Sequence, residues 1–488
     1  MRATRLSTTL ASTIGYPFIG AHRVSSRFLH STARMRGVGS PREIPAEWLR
    51  RIIEDDAQPP KLYAWTPENL SPRGELESES VHGSKPGING SRSSDENESR
   101  RVYILGVGNI GRLYAMCLSE LTSRPPITLV VHRKELLERW ISEPGIELTR
   151  YGHVHKSAAF DIEWWTDVAP ACGGRTAEVA GGGRIANLII ATKASDAIVQ
   201  VDKVRRYLSS KSTVAFAQNG MCKLWPPLGD AYVRARFPDG TQPSFVACVT
   251  THGVTSQGPF KSTHASPANA LVGPVMANSA DGMDGEQMRY LMRLVADAPD
   301  LDAREVSRKE LWVAQLEKLV VNAIINPLTA ILRCKNGELF VTRNDAMPAV
   351  IDKLLSEASE ILCALISDST TDEILVSGSV DYSVDYSENS AAECLLANRR
   401  QLLERFVFAR LRAMVLGVGA KVSANTSSML QDVQADKLTE IDDFNGWLVE
   451  TARLLGKEVH LPTHEKLIKL VKDKATLTRA ELCATLLV

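Results

Sequence analysis

The chain has 488 residues, enough for about two to four domains of about 100–200 residues each. It is 44% apolar and 23% charged, with 57 basic residues against 57 acidic, a composition ordinary for a globular protein and a balance that argues against general binding to nucleic acid or acidic membranes. No apolar run approaches the roughly 20 residues of a membrane span, and eight scattered cysteines without a CxxC pair argue against a disulfide framework or zinc site and fit a reducing compartment.

Residues 1–42 carry seven arginines (Arg2, Arg5, Arg23, Arg27, Arg34, Arg36, Arg42), many hydroxyl residues and no acid before Glu43. This predicts a mitochondrial transit-type leader, with a disordered basic arm on a cytoplasmic protein as the alternative. Residues 43–100 read as a short appendage packed on the core followed by a flexible linker. Trp48, Leu62, Tyr63 and Trp65 stand among prolines over 44–70. Residues 71–100 have no aromatic side chain and are rich in Ser, Gly and Glu, too little apolar surface to offset the entropy of ordering. The main folded body is expected to begin near Arg101.

From Arg101 to about Gly273, short apolar runs at 101–105, 127–131, 186–192 and 212–217 alternate with helical stretches. Continuous apolar runs of that length, spaced by helices, predict a parallel sheet, with a turn at Ala180–Arg184 before the third run. Beyond about residue 280, 3.6-residue periodicity dominates at 284–298, 307–334, 345–366, 391–419, 436–455 and 462–474. The fold class is therefore an α/β N-terminal domain over 101–290 and an all-α domain over 291–488. Pro327 is expected to interrupt the second helical stretch. Residues 367–390, acidic and Ser-rich with a repeated Ser-Val-Asp-Tyr, read as an exposed loop inserted between helices.

The strand-like run Arg101–Leu105 is followed by Gly106-Val107-Gly108-Asn109-Ile110-Gly111, a GxGxxG motif that opens a helix-like stretch. Gly106 would allow the strand-to-helix turn, Gly108 close approach of backbone to a pyrophosphate, and Gly111 close helix–strand packing. The helix N-terminus would supply free N–H groups to the anion. This predicts a dinucleotide site of Rossmann type. No acid ends the second strand; His132, Arg133 and Lys134 stand there instead. Arg133 is the better candidate to fork onto a 2′-phosphate, which favours NADPH; an ordinary solvated basic loop is the alternative.

In the helical half, Lys318, Asn322 and Asn326 recur every four residues on an otherwise apolar helix, so they share a face. They point into a cleft, or else Lys318 reaches solvent and the asparagines bond backbone; periodicity leaves both readings open. Thr426, Ser427 and Ser428 precede a further helix as caps would, and Glu440 on its own reads as a surface carboxylate.

Taken together, these segments resemble the ketopantoate reductases. The shared elements are the GxGxxG, Lys193 after the third run, Gln218-Asn219-Gly220, the Thr250–Gly253 strand, K-x3-N-x3-NPLTA from Lys318, Asn336–Leu339, and S-S-M-x-Q-D followed by T-E-I. The resemblance implies a 6-phosphogluconate-dehydrogenase-like pair of domains, with ketopantoate reduced by NADPH in the cleft. It implies Lys318 as the general acid, Asn322, Asn326, Asn336 and Ser428 as substrate ligands, and Lys193, Asn219, Glu440 and the backbone of Val254 as cofactor-side contacts. No metal, membrane or nucleic-acid partner is implied, and a homodimer is the assembly carried forward. Two alternatives stand: a reductase of another 2-oxo or β-hydroxy acid on the same fold, and a non-catalytic mitochondrial relative.

Overall fold

Six parallel strands lie in the order 3-2-1-4-5-6 at the centre of a ten-stranded sheet in the computed structural model. They are β1 (Val102–Leu105), β2 (Ile127–Val131), β3 (Asp161–Thr166), β4 (Asn187–Ile190), β5 (Thr213–Phe216) and β6 (Ser244–Thr250). Every residue of β1, β2, β4, β5 and β6 is buried, which is why these strands read as unbroken apolar runs rather than alternating ones. Strand order reverses between β1 and β4, and in such sheets ligands sit outside the carboxyl ends at that point. The glycine turn leaves β1 there.

The described residues are 46–70, 97–171, 176–278, 285–376, 388–456 and 461–488. The leader, residues 71–96 of the linker and residues 377–387 of the insertion lie outside them.

Residues 46–70 do not simply precede the body. The Glu47–Glu54 helix buries Leu49 and Ile52, Leu62 is fully buried, and Tyr63–Trp65 pairs antiparallel with β3 as an added strand. The packed structure thus includes a segment before Arg101, joined to it by edge-strand pairing that no periodicity announces. Other strands also escape the sequence pattern. Ala270–Met276 pairs antiparallel with β6. A second, four-stranded sheet joins Gly253–Gly258, Lys261–Ser266, Ile146–Arg150 and His153–Ser157. The Thr250–Gly253 run is a break between two strands, since β6 ends at Thr250 and the next strand starts at Gly253.

The helical half is built on one 25-residue helix, Arg308–Leu332. It is apolar nearly all round because it is buried nearly all round. Pro327 does not interrupt it. The carbonyl of Ala323, which a proline at 327 cannot bond, accepts the side-chain amide of Asn445 at 3.0 Å, so the lost ladder bond is replaced from a neighbouring segment. Asn445 in turn contacts buried His464 at 2.9 Å. The expected 391–419 helix is two, Glu388–Phe406 and Phe408–Lys421, divided at Val407 in an extended conformation. The 436–455 stretch is helical only from Asp442, beginning with a π-turn through Gly446. The start of the insertion is not an exposed loop: Asp372–Val376 is a short helix with Ile374 and Leu375 fully buried.

Candidate functional site

A cavity of about 690 Å³ lies between the carboxyl edge of the large sheet and the long helix. The sheet side contributes Asn109, Ile110, Asn219 and Val254; the helical side contributes Lys318, Asn322, Asn326, Asn336 and Ser428. The shared face predicted for Lys318, Asn322 and Asn326 is therefore the face turned to the cleft.

The glycine turn has the tight geometry its spacing predicts. Gly106 has φ +100° and a Cβ there would stand 2.8 Å from the Ala191 carbonyl oxygen, while one on Gly111 would stand 2.0 Å from the Gly106 oxygen. A Cβ on Gly108 would meet nothing within 4 Å, so the open side of the turn faces free space. The helix Asn109–Ser119 starts immediately after it, with its first amide groups unpaired by the helix itself. Asn109 is held by the second sheet: its Nδ2 donates to the Val254 carbonyl at 3.3 Å and its Oδ1 accepts from Ser262 Oγ at 3.1 Å. These features suit a dinucleotide, with its diphosphate at the turn and its far end in the cavity.

Lys318 Nζ donates to Asn219 Oδ1 at 2.9 Å and to the Thr250 carbonyl at the end of β6 at 2.5 Å. Burial lowers its ammonium to about 8, opposed by the charge of Glu440. Asn219 uses its other end to donate to Glu440 at 3.3 Å. Glu440 is buried rather than a surface carboxylate, and desolvation raises it to about 7 against that hydrogen bond and nearby Lys193. It does not line the cavity itself. Lys193 is also one step removed: its ammonium pairs with Asp432 at 2.8 Å and bonds the Leu438 carbonyl, and it is Asp432 that lines the cavity.

Asn326 is 7% exposed and its Nδ2 donates to Ser428 Oγ at 3.4 Å. Asn336 is also buried, and its Oδ1 has no hydrogen-bond partner among the described residues. The helix cap is Ser427, whose Oγ accepts from the Leu430 amide at 3.1 Å. That leaves the Ser428 hydroxyl turned to the cavity. Gly106, Val107, Gly108 and Gly111 shape the turn and do not line the cavity. Arg133 is exposed beyond the end of β2, while its neighbour Lys134 is paired with Glu138 at 3.3 Å.

Sequence reasoning missed two parts of the wall. His252 is buried, lines the cavity and contacts the Leu301 carbonyl (2.9 Å) and His264 (3.0 Å) through its two ring nitrogens. The Ala268 amide donates to its Nδ1 at 3.0 Å, which assigns the ring proton to Nε2. Burial lowers both histidines, His264 to about 4. The second part is apolar: Val321, Ile325, Met414, Val418 and Val422. The last three recur every four residues on the Phe408–Lys421 helix and its end, a pattern that reads as ordinary core until the helix is known to border a cleft.

The sequence matches the ketopantoate reductase PanE/ApbA family over residues 102–276 and the C-terminal domain of that family over residues 310–475. A ketoisovalerate reductase of Gibberella fujikuroi is 41% identical over 451 residues, 89% of this chain and 98% of that protein. A probable 2-dehydropantoate 2-reductase of Schizosaccharomyces pombe is 29% identical over 392 residues, 78% and 97% of the two chains. The structure of D-mandelate dehydrogenase with NADH and anilino(oxo)acetate shares the fold, with a TM-score of 0.51 at 17% identity over 77% of this chain and 97% of that one. With an α/β sheet of Rossmann order, an all-helical second half and both family domains in sequence, the chain belongs to the ketopantoate reductase family.

Proposed function

We propose that this chain reduces a branched 2-oxo acid to its 2-hydroxy acid with NADPH, and that 2-ketoisovalerate is preferred over ketopantoate. The observation that carries the substrate choice is the mixed lining of the cavity. Lys318, Asn322, Asn326, Asn336 and Ser428 line it together with apolar Val321 and Ile325 of the long helix and Met414, Val418 and Val422 of the Phe408–Lys421 helix and its end. Ketopantoate is 2-ketoisovalerate with a hydroxymethyl group on C3, and Met414, Val418 and Val422 suit an isopropyl group while they offer that hydroxyl no partner. The 41% likeness to a ketoisovalerate reductase supports the same choice. The alternative of another 2-oxo acid on this fold thus displaces ketopantoate as the leading substrate.

The bound nicotinamide supplies the hydride that arrives at C2. The protein's own part is to bind, orient and move one proton. Lys318, positively charged below about pH 8, donates its proton to the ketone oxygen, and its remaining charge-assisted contacts hold it in place against Thr250 and Asn219. Asn322 and Asn326 orient the 2-oxo group from the next two turns of the same helix. The Ser428 hydroxyl can donate to the carboxylate, and Asn336 borders the same space. Glu440 acts through Asn219, fixing which end of that amide faces Lys318. For the dinucleotide, Gly108 leaves room at the turn, and exposed Arg133 at the end of β2 is the group for a 2′-phosphate.

The test is NADPH oxidation by the purified full chain. We expect kcat/KM for 2-ketoisovalerate to exceed that for ketopantoate about tenfold or more, in line with the value of one group in an apolar pocket. NADPH should be preferred to NADH. A reversed substrate ratio would overturn the choice of acid, and no oxidation with either acid would leave the non-catalytic reading standing.

A further inference from the structure

Arg112 follows the last glycine of the turn and is 6% exposed. Its Nε donates to the carbonyls of Val107 at 3.1 Å and Gly108 at 3.2 Å. Its Nη1 donates to the carbonyls of Gly258, at 2.8 Å, and Lys261. Nη2 makes no hydrogen bond among the described residues. The other deeply buried arginines face acids: Arg150 pairs with Glu120 and Asp300, and Arg308 with Glu373. Arg112 has no carboxylate partner among the described residues, and burial alone draws its pKa down to about 10.

A charge taken out of water is costly unless an opposite charge meets it. Four carbonyls meet Nε and Nη1 of Arg112 but bring dipoles, not a counter-charge. In a helix the side chain leans back over the preceding turn, so the guanidinium sits against the glycine turn itself. The Gly108 carbonyl also takes the first ladder bond of the helix, from the Arg112 amide at 2.9 Å, so the guanidinium is anchored to the first turn of the helix beside the glycines. Its second pair of bonds ties the Gly253–Ser266 hairpin, which carries Val254 of the cavity wall, to the same turn.

We propose that Arg112 is a cofactor-binding residue: its guanidinium, anchored at the glycine turn by backbone carbonyls, holds the positive charge that the diphosphate of a dinucleotide neutralises. This rests on the reading of the turn as a dinucleotide site, but not on the identity of the acid. A purely structural arginine would need the four carbonyls alone; the missing acid is what points to a ligand.

The experiment compares wild type, Arg112→Gln and Arg112→Lys, each as the full chain, by equilibrium titration with three probes. NADPH and 2′-phospho-ADP-ribose contain the diphosphate; reduced nicotinamide mononucleotide lacks it. The glutamine variant should bind the first two about 10–100-fold more weakly, the scale of losing a charge-assisted contact to phosphate, while affinity for the mononucleotide stays within about twofold. The lysine variant, which keeps the charge and loses the fork, should fall between and lose about three- to tenfold. If the glutamine variant does not fold, the lysine variant decides. Unchanged affinity for both diphosphate ligands, or an equal loss for all three probes, would overturn the proposal. Because binding and not turnover is read, a chain inert towards 2-ketoisovalerate would overturn the function proposed above while this comparison still decides Arg112.

Discussion

Lys318 and Asn219 meet at 2.9 Å, ammonium to amide oxygen, and Asn219 spends its amide nitrogen on Glu440 at 3.3 Å. One neutral side chain from the sheet therefore links an ammonium from the long helix to a carboxyl from a third segment. Because Lys318 only donates and an ionised Glu440 only accepts, the Asn219 amide has one allowed orientation. The link also crosses between the two family domains, which fixes the lysine relative to the sheet edge that carries the glycine turn.

The first prediction concerns Lys318 as acid. Its ammonium titrates at about 8, and the reduction needs the protonated form. The rate of 2-oxo acid reduction should therefore be flat below that pH and fall as pH rises through about 8. Lys318→Ala should lower kcat by about 10²–10⁴, the usual contribution of a positioned general acid, and abolish the alkaline fall. A variant that keeps the same alkaline limb would show that the limb belongs to another group.

Glu440→Gln separates charge from hydrogen bonding. The folded carboxyl is raised to about 7 from an ordinary 4.5, so the folded state holds a proton that the unfolded chain has lost between those values. The resulting stabilisation is complete below pH 4.5 and disappears as pH rises through 7. In the wild type this group should cost up to about 3 kcal/mol of stability across that window, and the glutamine variant should not show that loss. Chemical denaturation at pH 5 and pH 8 reads the difference. The same substitution removes a charge that raises the Lys318 pKa, so the alkaline fall in rate should move to lower pH.

Much of this was legible in the sequence because local chemistry dictates it. Gly106, Gly108 and Gly111 have backbone reasons to be glycine, and the i, i+4, i+8 spacing of Lys318, Asn322 and Asn326 survives folding as a shared face. What stayed hidden depends on partners distant in sequence. Tyr63–Trp65 is a strand only because β3 presents an edge to it. Glu440 is a raised carboxyl only because folding buries it, and the groups that oppose that rise, Asn219 and Lys193, come from the other domain. Pro327 obeys the local rule for breaking a helix, and the rule is overridden by an amide 118 positions away in the chain (445 against 327).

That override gives a stability prediction. Asn445 is fully buried; its Nδ2 donates to the Ala323 carbonyl at 3.0 Å and lies 2.9 Å from His464 Nδ1. Asn445→Ala would leave the Ala323 carbonyl without a partner inside the long helix and free a ring nitrogen of His464, whose other nitrogen is bonded to the Leu354 carbonyl. A loss of about 1–3 kcal/mol is expected from the buried unpaired groups, read by urea unfolding. Restoring the helix's own bond with Pro327→Ala in the same chain should recover part of it. If the double variant is no more stable than Asn445→Ala, the amide is not replacing the bond that proline removes.

The last prediction concerns the choice of acid. Val418 lines the cavity, one turn from Met414 and one from Val422. Val418→Thr keeps the shape and exchanges a methyl group for a hydroxyl. A threonine there gives the hydroxymethyl group of ketopantoate a hydrogen-bond partner and gives the isopropyl group of 2-ketoisovalerate a polar neighbour that it cannot satisfy. The ratio of kcat/KM for 2-ketoisovalerate to that for ketopantoate should fall by about tenfold, the scale on which a single polar group in a pocket discriminates. Lys318 and the asparagines are untouched, so the change should come through KM for each acid and not through the alkaline limb of the rate profile. An unchanged ratio would mean that the C3 substituent does not face this helix, and would turn attention to Val321 and Ile325 on the long helix as the side of the cleft that senses it.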